Sequence, residues 1–367
     1  MKIKEIKLSI IKMPLKLPFS TSLGTVLDRE GIIIEVFDTD GAVGYGEVVA
    51  FSTPWYTEET VQTCYHMLKD LLIPLILEEP ITHPNEVQSR FNHIRGNNMA
   101  KAGIETAIWD LYAKLQHQPL WKLINGVRNE VLAGVVVGTQ DIKEAIAQIN
   151  SYLMDGYKRV KVKIKPGSDY LLLKEIRKHC PDIALMADAN SAYTLKDIEM
   201  LKALDDFELL MIEQPLAVDD IVEHSILKKE LKTPICLDES IVTYHDAESA
   251  IYLNSCQVIN IKIGRVGGLK NAIKIHDLCQ KHNIQVWCGG MIEFGISRAH
   301  NIALSTKEGF TIPGDISASN RYWEEDIITP QVDIIHGTIK APSGFGIGYE
   351  MNDRRMNQAT TYKEYFR

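Results

Sequence analysis

The first fifty residues alternate between apolar and polar positions. Ile6, Leu8 and Ile10 are separated by polar neighbours, and the next apolar run contains the turn pair Asp40-Gly41. Period-two alternation is typical of a half-buried strand, and Asp-Gly is a strong hairpin signal. The start of the chain is therefore predicted to form an antiparallel sheet.

Two further patterns complete the front of the chain. Residues 14–31 (PLKLPFSTSLGTVLDREG) are rich in Ser, Thr, Pro and Gly and are predicted to form a mobile loop. Residues 57–123 carry apolar positions at helical spacing and begin with a T-E-E sequence that resembles a helix start. Residues 1–128 are therefore predicted to be an α+β capping domain.

From about residue 130 onward, short β-rich runs alternate with helix-like stretches. The runs are VLAGVVVG, KRVKVKI, IALMADAN, FELLMIEQP, TPICLDES, CQVINIKIG, IQVWCGG and GFTIPGDI. Eight such βα units can close into a (β/α)8 barrel. The interpretation is a TIM-like catalytic domain at residues 129–320, with residues 321–367 returning onto the barrel and cap.

Charged residues recur at the predicted carboxyl ends of five successive strands. Lys163 is followed at intervals of 25 residues by Asp188, Glu213 and Asp238, and Lys262 follows 24 residues later. Catalytic groups of such barrels come from these strand ends. The repetition therefore predicts one shared site.

Three of these residues are carboxylates on consecutive strands. Close anions suppress one another's ionisation unless a cation lies between them, and hard oxygen ligands suit Mg²⁺, with Mn²⁺ as an alternative. A single strand-end acid would more often cap a helix or face solvent. The register of Asp188, Glu213 and Asp238 favours a metal site.

Two lysines, Lys161 and Lys163, lie two positions apart and therefore share a strand face, predicted to be the barrel interior. Neighbouring ammonium groups should depress each other's pKa, so that one of them can act as a general base. A solvent-facing K-x-K edge strand is the alternative. Lys262 is predicted to lie across the barrel, with Glu239 either orienting it as an ion-pair partner or facing water.

The motifs K-V-K, D-A-N, E-Q-P, L-D-E-S and N-I-K-I-G-R-V-G-G, in this order and spacing, resemble the enolase superfamily, in its branch with lysines on both faces of the site. The sequences at residues 287–295 (WCGGMIEFG) and 312–319 (IPGDISAS) are similar to the o-succinylbenzoate synthase/N-succinylamino acid racemase family. The resemblance covers nearly the whole chain. It implies a barrel with an α+β cap and metal-assisted removal of a proton next to a carboxylate.

The resemblance also implies roles for the strand-end residues. The carboxylates would bind Mg²⁺, which holds the substrate carboxylate and stabilises the ene-diolate anion. Lys163 would abstract the α-proton, and Lys161 would tune its pKa. Lys262 would stabilise the anion in a synthase, or act as the second acid/base in a racemase.

Contacts beyond the metal follow from loop position and from the same resemblance. A lid loop at about residues 18–30 and a second cap segment at about 50–60 are expected to close over the barrel mouth. Gly290, Met291 and Ile292 would lie beside the succinyl group, although a tight turn with ordinary packing would also explain them. Asn190 is expected near the metal, or as a helix cap. The expected substrate contacts are Phe19, Ser22, Tyr56, Gly290, Met291 and Ile292.

Composition and charge narrow the classes of protein to which this chain can belong. The formal net charge of -8 argues against a general affinity for nucleic acid. Lysines interrupt the N-terminal apolar stretch, and the chain contains no apolar run long enough to cross a membrane. The six cysteines are scattered without a C-x-x-C pair, which favours reduced thiols and a cytoplasmic protein. A small carboxylate substrate and a homo-oligomer are expected.

The leading hypothesis is a dehydratase that converts 2-succinyl-6-hydroxy-2,4-cyclohexadiene-1-carboxylate to 2-succinylbenzoate, a lyase of menaquinone biosynthesis. The alternative is an N-succinyl- or N-acylamino acid racemase, which could be a second activity of the same site. Dipeptide epimerase and muconate cycloisomerase fit less well. A catalytically silent barrel is disfavoured, because buried like charges are costly without a ligand or metal.

Overall fold

The computed structural model describes residues 1–21 and 24–367. The strands are β1 (Ile3–Thr21), β2 (Gly24–Asp38), β3 (Val43–Val48), β4 (Glu130–Leu132), β5 (Gly134–Val137), β6 (Arg159–Lys163), β7 (Leu185–Asp188), β8 (Ile212–Glu213), β9 (Ile235–Leu237), β10 (Val258–Ile261), β11 (Gln285–Cys288), β12 (Ile328–Thr329), β13 (Thr338–Lys340), β14 (Glu350–Met351) and β15 (Thr360–Phe366).

The α-helices are α1 (Val61–Met67), α2 (Ile73–Leu77), α3 (Val87–Arg90), α4 (Asn98–Leu115), α5 (Leu120–Leu123), α6 (Ile142–Met154), α7 (Asp169–His179), α8 (Ile198–Ala203), α9 (Val222–Glu230), α10 (Tyr244–Tyr252), α11 (Leu269–Lys281), α12 (Gly295–Ser305) and α13 (Asp353–Ala359). A π-helical turn (Leu68–Leu72) joins α1 to α2. The 3₁₀ turns are Pro84–Glu86, Leu195–Asp197, Leu204–Phe207 and Ser319–Arg321.

The three N-terminal strands and the C-terminal strand β15 form an antiparallel sheet with the order β15-β1-β2-β3. The apolar positions Ile6, Leu8 and Ile10 are buried, as their alternation predicts. Helix α4 lies so close to β3 that a Cβ on Gly46 would fall 2.0 Å from the carbonyl oxygen of Gly103. Glycine at position 46 therefore permits the helix to pack on the sheet.

The prediction of a mobile loop at residues 14–31 was wrong for the described residues. Strands β1 and β2 continue through this segment as a long antiparallel hairpin, in which Phe19 pairs with Val26. The register shifts between Pro14 and Phe19, because Pro18 lacks the backbone N–H that a regular ladder requires. The Ser, Thr, Pro and Gly content that was interpreted as a loop signal therefore belongs to an irregular hairpin.

The first helix also begins later than predicted. Thr60 accepts a hydrogen bond from the backbone N–H of Thr63, whose hydroxyl accepts one from the backbone of Thr60. This reciprocal pair is a capping box. The helix therefore begins at Val61 rather than at the T-E-E sequence that starts at Thr57.

Seven parallel strands, β5 to β11 in sequential order, form the barrel sheet. The eighth predicted strand, residues 309–316, is an extended segment that closes the ring through single hydrogen bonds. Asp315 N–H donates to Cys288 O at 3.0 Å, and Gly134 N–H donates to Gly314 O at 2.8 Å. Pro313 has no N–H to donate, so a regular ladder does not form there.

Two buried carboxylates of the N-terminal region cap barrel helices. Glu47 accepts from the backbone N–H groups of Phe294 and Ser297, both at 2.8 Å. Glu105, on α4, accepts from Leu269 and Lys270 at the start of α11. These bonds satisfy donors that a helix N-terminus leaves unpaired. They fix the N-terminal sheet and α4 to the two barrel helices that follow β10 and β11.

The C-terminal segment returns to both parts of the fold. β13 pairs with β4 beside the barrel, and β15 pairs with β1 in the N-terminal sheet. In the described residues no helix is long and apolar enough to cross a membrane.

Candidate active site

A cavity of about 60 Å³ lies at the carboxyl ends of the barrel strands. Apolar and aromatic side chains from the β1–β2 hairpin, residues 50–60 and residues 290–292 cover it, and charged residues form its floor. The predicted site residues that line it are Phe19, Tyr56, Lys161, Lys163, Asp188, Asn190, Lys262, Gly290, Met291 and Ile292. Three further predicted residues do not line the cavity but accept hydrogen bonds from residues that do: Glu213 from Lys161, Glu239 from Asn190 and Asp238 from Lys262. Ser22 lies outside the described residues.

Lys161 lies on the barrel-interior face of β6, among carboxylates. Its Nζ is 3.0 Å from Glu213 Oε2, 3.1 Å from Asp188 Oδ2 and 2.6 Å from Asp315 Oδ2. Burial lowers the pKa of this lysine, but Asp315, Glu213 and Asp188 outweigh burial and raise it well above its ordinary value. The expected depression of the Lys161 pKa by its lysine neighbour is therefore wrong here, because three carboxylates face the ammonium.

Lys163 also points into the barrel, where its Nζ donates to Asp188 Oδ2 at 2.7 Å and to Asn190 Oδ1 at 2.5 Å. Asn190 in turn donates from Nδ2 to Glu239 Oε1 at 2.9 Å. A carboxylate and an amide therefore hold the Lys163 ammonium at the cavity wall. Val160 and Val162, on the opposite face of the strand, pack in the layer between barrel and helices, as period two requires.

Lys262 lies just beyond the end of β10. Its Nζ donates to Asp238 Oδ2 and to the Tyr56 hydroxyl, each at 2.8 Å, and lies 4.5 Å from the centre of the Tyr56 ring. Arg265 forms a second ion pair with Asp238. The carboxylate therefore balances two cations.

Glu239 does not hydrogen-bond to Lys262 in the described structure. One of its oxygens accepts from Asn190, and the other, Oε2, is buried without a hydrogen-bond partner in the described residues. Burial, Asp238 and Asp188 raise the pKa of Glu239 to about 7. Neither of the two predicted roles of Glu239 describes this arrangement, because the side chain is buried rather than facing water and contacts Asn190 rather than Lys262.

The three predicted metal ligands match a hard divalent cation in donor type and charge. Burial, followed by Asp188, raises the pKa of Glu213 to about 8, and the ammonium of Lys161 bridges the Asp188 and Glu213 carboxylates. Within residues 1–21 and 24–367, no three His, Cys, Asp or Glu side chains are arranged to hold a metal. The carboxylates are turned towards lysines, so metal binding would require them to exchange ammonium contacts for the cation.

The segment that follows β11 is held in a strained conformation against the cavity. Ile292 has φ +57°, a left-handed conformation that is rare for a β-branched residue. Glu293 accepts from the N–H of Met291, and Glu47 accepts from that of Phe294. Arg29, on β2, donates from Nε to Ile292 O at 3.3 Å. These bonds fix the positions of Met291 and Ile292 at the cavity.

We expect the Arg29→Met substitution to destabilise the protein and loosen this segment. The buried guanidinium also donates to Val49 O at 2.5 Å and Ala50 O at 2.6 Å, so methionine leaves several buried carbonyls unpaired, at a cost of about 3 kcal/mol. Urea unfolding measures this loss, and substrate KM should rise more than kcat falls. An unchanged unfolding midpoint would contradict the assigned role. The exposed Lys158→Met variant is the control.

Comparison with known families decides the assignment. The mandelate racemase/muconate lactonizing enzyme N-terminal domain matches residues 5–125, and the enolase C-terminal domain-like family matches residues 144–355. An o-succinylbenzoate synthase of Geobacillus stearothermophilus is 54% identical over 97% of this chain and 95% of its own length. The chain belongs to the o-succinylbenzoate synthase/N-succinylamino acid racemase family of the enolase superfamily.

The relatives of this chain include both o-succinylbenzoate synthases and N-succinylamino acid racemases. An N-succinylamino acid racemase of Thermus thermophilus is 41% identical over 100% of this chain and 99% of its own length. A solved enolase superfamily structure from Listeria innocua superposes with a TM-score of 0.97 at 42% identity, covering 100% of this chain and 99% of that one. Enzymes of this superfamily use a lysine or histidine base with divalent metal ions.

Sequence reasoning missed several polar residues of the site, including Glu293 at the cavity. Arg159 and Asn260 each lie two positions before a predicted lysine, so period two alone could have placed them on the interior face. Asn260 donates to Glu213 at 2.7 Å, and Arg159 to Asp315 at 2.7 Å. Asp315 lies next to the last residue of the eighth predicted strand, where a further strand-end acid could have been noted. Arg265 lies within the motif N-I-K-I-G-R-V-G-G, but no sequence pattern showed that its side chain would contact Asp238.

Proposed function

We propose that this enzyme is an o-succinylbenzoate synthase, which dehydrates 2-succinyl-6-hydroxy-2,4-cyclohexadiene-1-carboxylate to 2-succinylbenzoate. The observation that carries the proposal is that Lys163 and Lys262 line one cavity together with Asp188. A carbon acid held there has an amine within reach on more than one side. The family membership and the 54% identical synthase support the same activity.

The proposed chemistry begins with Lys163. Its neutral amine takes the proton from the carbon next to the substrate carboxylate, and the C–H electron pair becomes an ene-diolate. That charge faces the ammonium groups of Lys161 and Lys262. The ring then forms its double bond as the C–O bond breaks. The leaving hydroxide takes the proton that Lys163 now carries and departs as water, which returns the amine to its neutral form. The product is aromatic.

A divalent cation, Mg²⁺ or alternatively Mn²⁺, would be held by Asp188, Glu213 and Asp238 and would supply electrostatic stabilisation of the substrate carboxylate. Two observations support this metal site. All three side chains offer carboxylate oxygens, and lysines balance their negative charge in the described structure. Asn190 and Glu239 would support Lys163 next to these ligands. Phe19, Ser22 and Tyr56, together with Gly290, Met291 and Ile292, are the proposed substrate contacts.

We expect chelation of divalent metal to lower dehydration by about 100-fold or more, since the charge that develops on the substrate then loses the electrostatic stabilisation of the cation. Mg²⁺ at 100 times its Kd should stabilise the folded protein by about 2.7 kcal/mol, and Mn²⁺ should substitute for it. Thermal unfolding with and without the metal measures this shift. The Asp238→Asn variant should lose the shift, whereas Asp246→Asn, at a surface helix cap, should keep it. Full activity in excess chelator would contradict the metal site.

The second candidate function is N-succinylamino acid racemisation at the same site. It is favoured by the Thermus thermophilus relative and by the presence of Lys262 at the cavity. In this reaction, one lysine removes the α-proton and the other returns a proton to the opposite face of the carbanion. No additional residue is required, so one site can carry both activities.

A paired steady-state assay with Mg²⁺ tests the proposal. It compares kcat/KM for dehydration of the cyclohexadiene acid with kcat/KM for racemisation of N-succinyl amino acids. Efficient dehydration with slow racemisation supports the synthase, and the converse result supports the racemase. The absence of both activities would reject the proposed substrates.

We further propose a division into a cap at residues 1–128, a barrel at 129–320 and a C-terminal return at 321–367, in which the segments at about 18–30 and about 50–60 act as lids. All six cysteines are buried and unpaired, which supports a cytoplasmic protein. A homo-oligomer without nucleic-acid partners remains the expectation. Sedimentation velocity tests the oligomeric state, and urea unfolding of residues 129–367 alone tests the division.

A further inference from the structure

A second, larger cavity adjoins the reactive one. Its volume is about 370 Å³, and its walls come from the β1–β2 hairpin, the segment after β5, helix α6 and Arg321. Phe19 and Lys163 line both cavities, so a substrate held at Lys163 can extend past Phe19. The reactive cavity, at about 60 Å³, is small for a drug-sized ligand.

Arg321 lies at the boundary between the two spaces. Its Nη2 donates to the carbonyl oxygen of Val136 at 3.3 Å, and the Val136 side chain lines the reactive cavity. The guanidinium packs over the rings of Tyr152 and Tyr322, at 5.2 and 5.1 Å from their centres. These aromatic contacts hold the planar group in one orientation.

The charge of Arg321 is not balanced by a carboxylate in the described residues. Two buried arginines of the barrel, Arg159 and Arg265, form ion pairs with Asp315 and Asp238. By contrast, Arg321 forms no ion pair within residues 1–21 and 24–367, and its Nε is buried without a hydrogen-bond partner there. A buried donor without a partner is costly.

The acid on the same cavity wall is already engaged. Glu144 accepts hydrogen bonds from Thr139 Oγ1 at 2.7 Å and from Gln148 Nε2 at 3.0 Å. Lys165, exposed at the cavity wall, adds a second positive charge. The cavity therefore suits an anion, and the forked donors of a guanidinium match a carboxylate.

We propose that Arg321 binds the distal carboxylate of a succinyl-bearing substrate in this second cavity. The inference rests on the proposed function, because both candidate substrates carry a succinyl chain that ends in a second carboxylate. The first carboxylate remains at the lysine cluster, and the chain passes Phe19 with its methylenes against apolar side chains. Arg321 is thus a specificity-determining residue that selects succinyl over uncharged acyl groups.

Ligand binding to the Mg²⁺-loaded enzyme tests this assignment by isothermal titration calorimetry. The ligands are 2-succinylbenzoate and 2-butanoylbenzoate, which replaces the distal carboxylate with a methyl group. We expect the wild type to prefer 2-succinylbenzoate by roughly 10- to 100-fold, the value of a charged hydrogen-bonded contact. Arg321→Met should remove this preference while 2-butanoylbenzoate still binds, which also shows that the variant is folded.

Two comparison variants sharpen the result. Arg321→Lys keeps the charge without the fork and should restore part of the preference, and Lys165→Met should retain most of it. In dehydration, Arg321→Met should raise KM with little change in kcat. A preference that survives Arg321→Met, or one that is lost in Lys165→Met instead, would overturn the assignment.

Failure of the proposed function is distinguishable from failure of this inference. A wild-type enzyme that catalyses neither dehydration nor racemisation rejects the function, whatever the binding data show. A wild-type enzyme that is active on the dicarboxylate, with ligand preference unaffected by Arg321→Met, rejects only the role of Arg321.

Discussion

The Lys163→Ala variant is expected to lose both dehydration and racemisation by about 10³-fold or more, in line with the contribution of a positioned general base. The side chain lies at the end of β6, with its Nζ 2.7 Å from Asp188 Oδ2 and 2.5 Å from Asn190 Oδ1. Alanine cannot accept a proton, and the bonds that position the amine disappear with it. Steady-state kcat/KM for both reactions measures the loss.

Metal binding and folding separate a catalytic loss from a structural one. The variant should still show the Mg²⁺-dependent rise in unfolding temperature, because Asp188, Glu213 and Asp238 remain. Lys158→Ala, an exposed lysine just before the opposite end of the same strand, should keep full activity. Substantial turnover in a folded, metal-binding Lys163→Ala enzyme would show that another group is the base.

The regular part of the fold was predictable because two simple periods govern it. Alternation placed β1–β3 in a sheet and put Lys161 and Lys163 on the interior face of β6. The interval of about 25 residues predicted that Asp188, Glu213 and Asp238 would end neighbouring strands, and β7 to β9 carry them at or next to their carboxyl ends. The inferences from alternation and from the 25-residue interval both depend only on the regular geometry of a single strand or a single βα unit.

Contacts between distant parts of the chain were not predictable in the same way. Arg29 reaches Ile292 O, and Glu47 caps α12, across more than 240 residues of sequence. No local pattern encodes such pairs, because they depend on how the N-terminal sheet docks against the barrel. The left-handed conformation of Ile292 was equally unpredictable, because isoleucine normally avoids positive φ.

The partner of each charged group was also beyond sequence reasoning. Glu239 follows Asp238 directly, yet it bonds to Asn190 while Asp238 takes Lys262 and Arg265. Small differences in the positions of neighbouring carboxylates decide these pairings. Spacing along the chain identifies the strand end on which a residue lies, but not the neighbour that it contacts.

The Lys262→Arg variant should separate the two candidate activities. Arginine keeps the positive charge but does not give up its proton in proteins, so it can stabilise an anion but cannot act as an acid/base. Dehydration should fall by about 10-fold or less, whereas racemisation should fall by about 10³-fold. Paired kcat/KM measurements on the same preparation give the ratio of dehydration to racemisation. Retained dehydration would show that arginine fits beside Asp238 and Tyr56.

Isotope exchange in deuterium oxide tests the assignment to opposite faces directly. In Lys262→Arg, the α-proton of one N-succinyl amino acid enantiomer should still exchange through Lys163, while exchange from the other enantiomer is lost. Lys163→Ala should show the reverse selectivity, because Lys262 then remains as the single base. Racemisation that survives as well as dehydration in Lys262→Arg would refute the two-base mechanism, since a permanently protonated side chain cannot remove a proton from the second face.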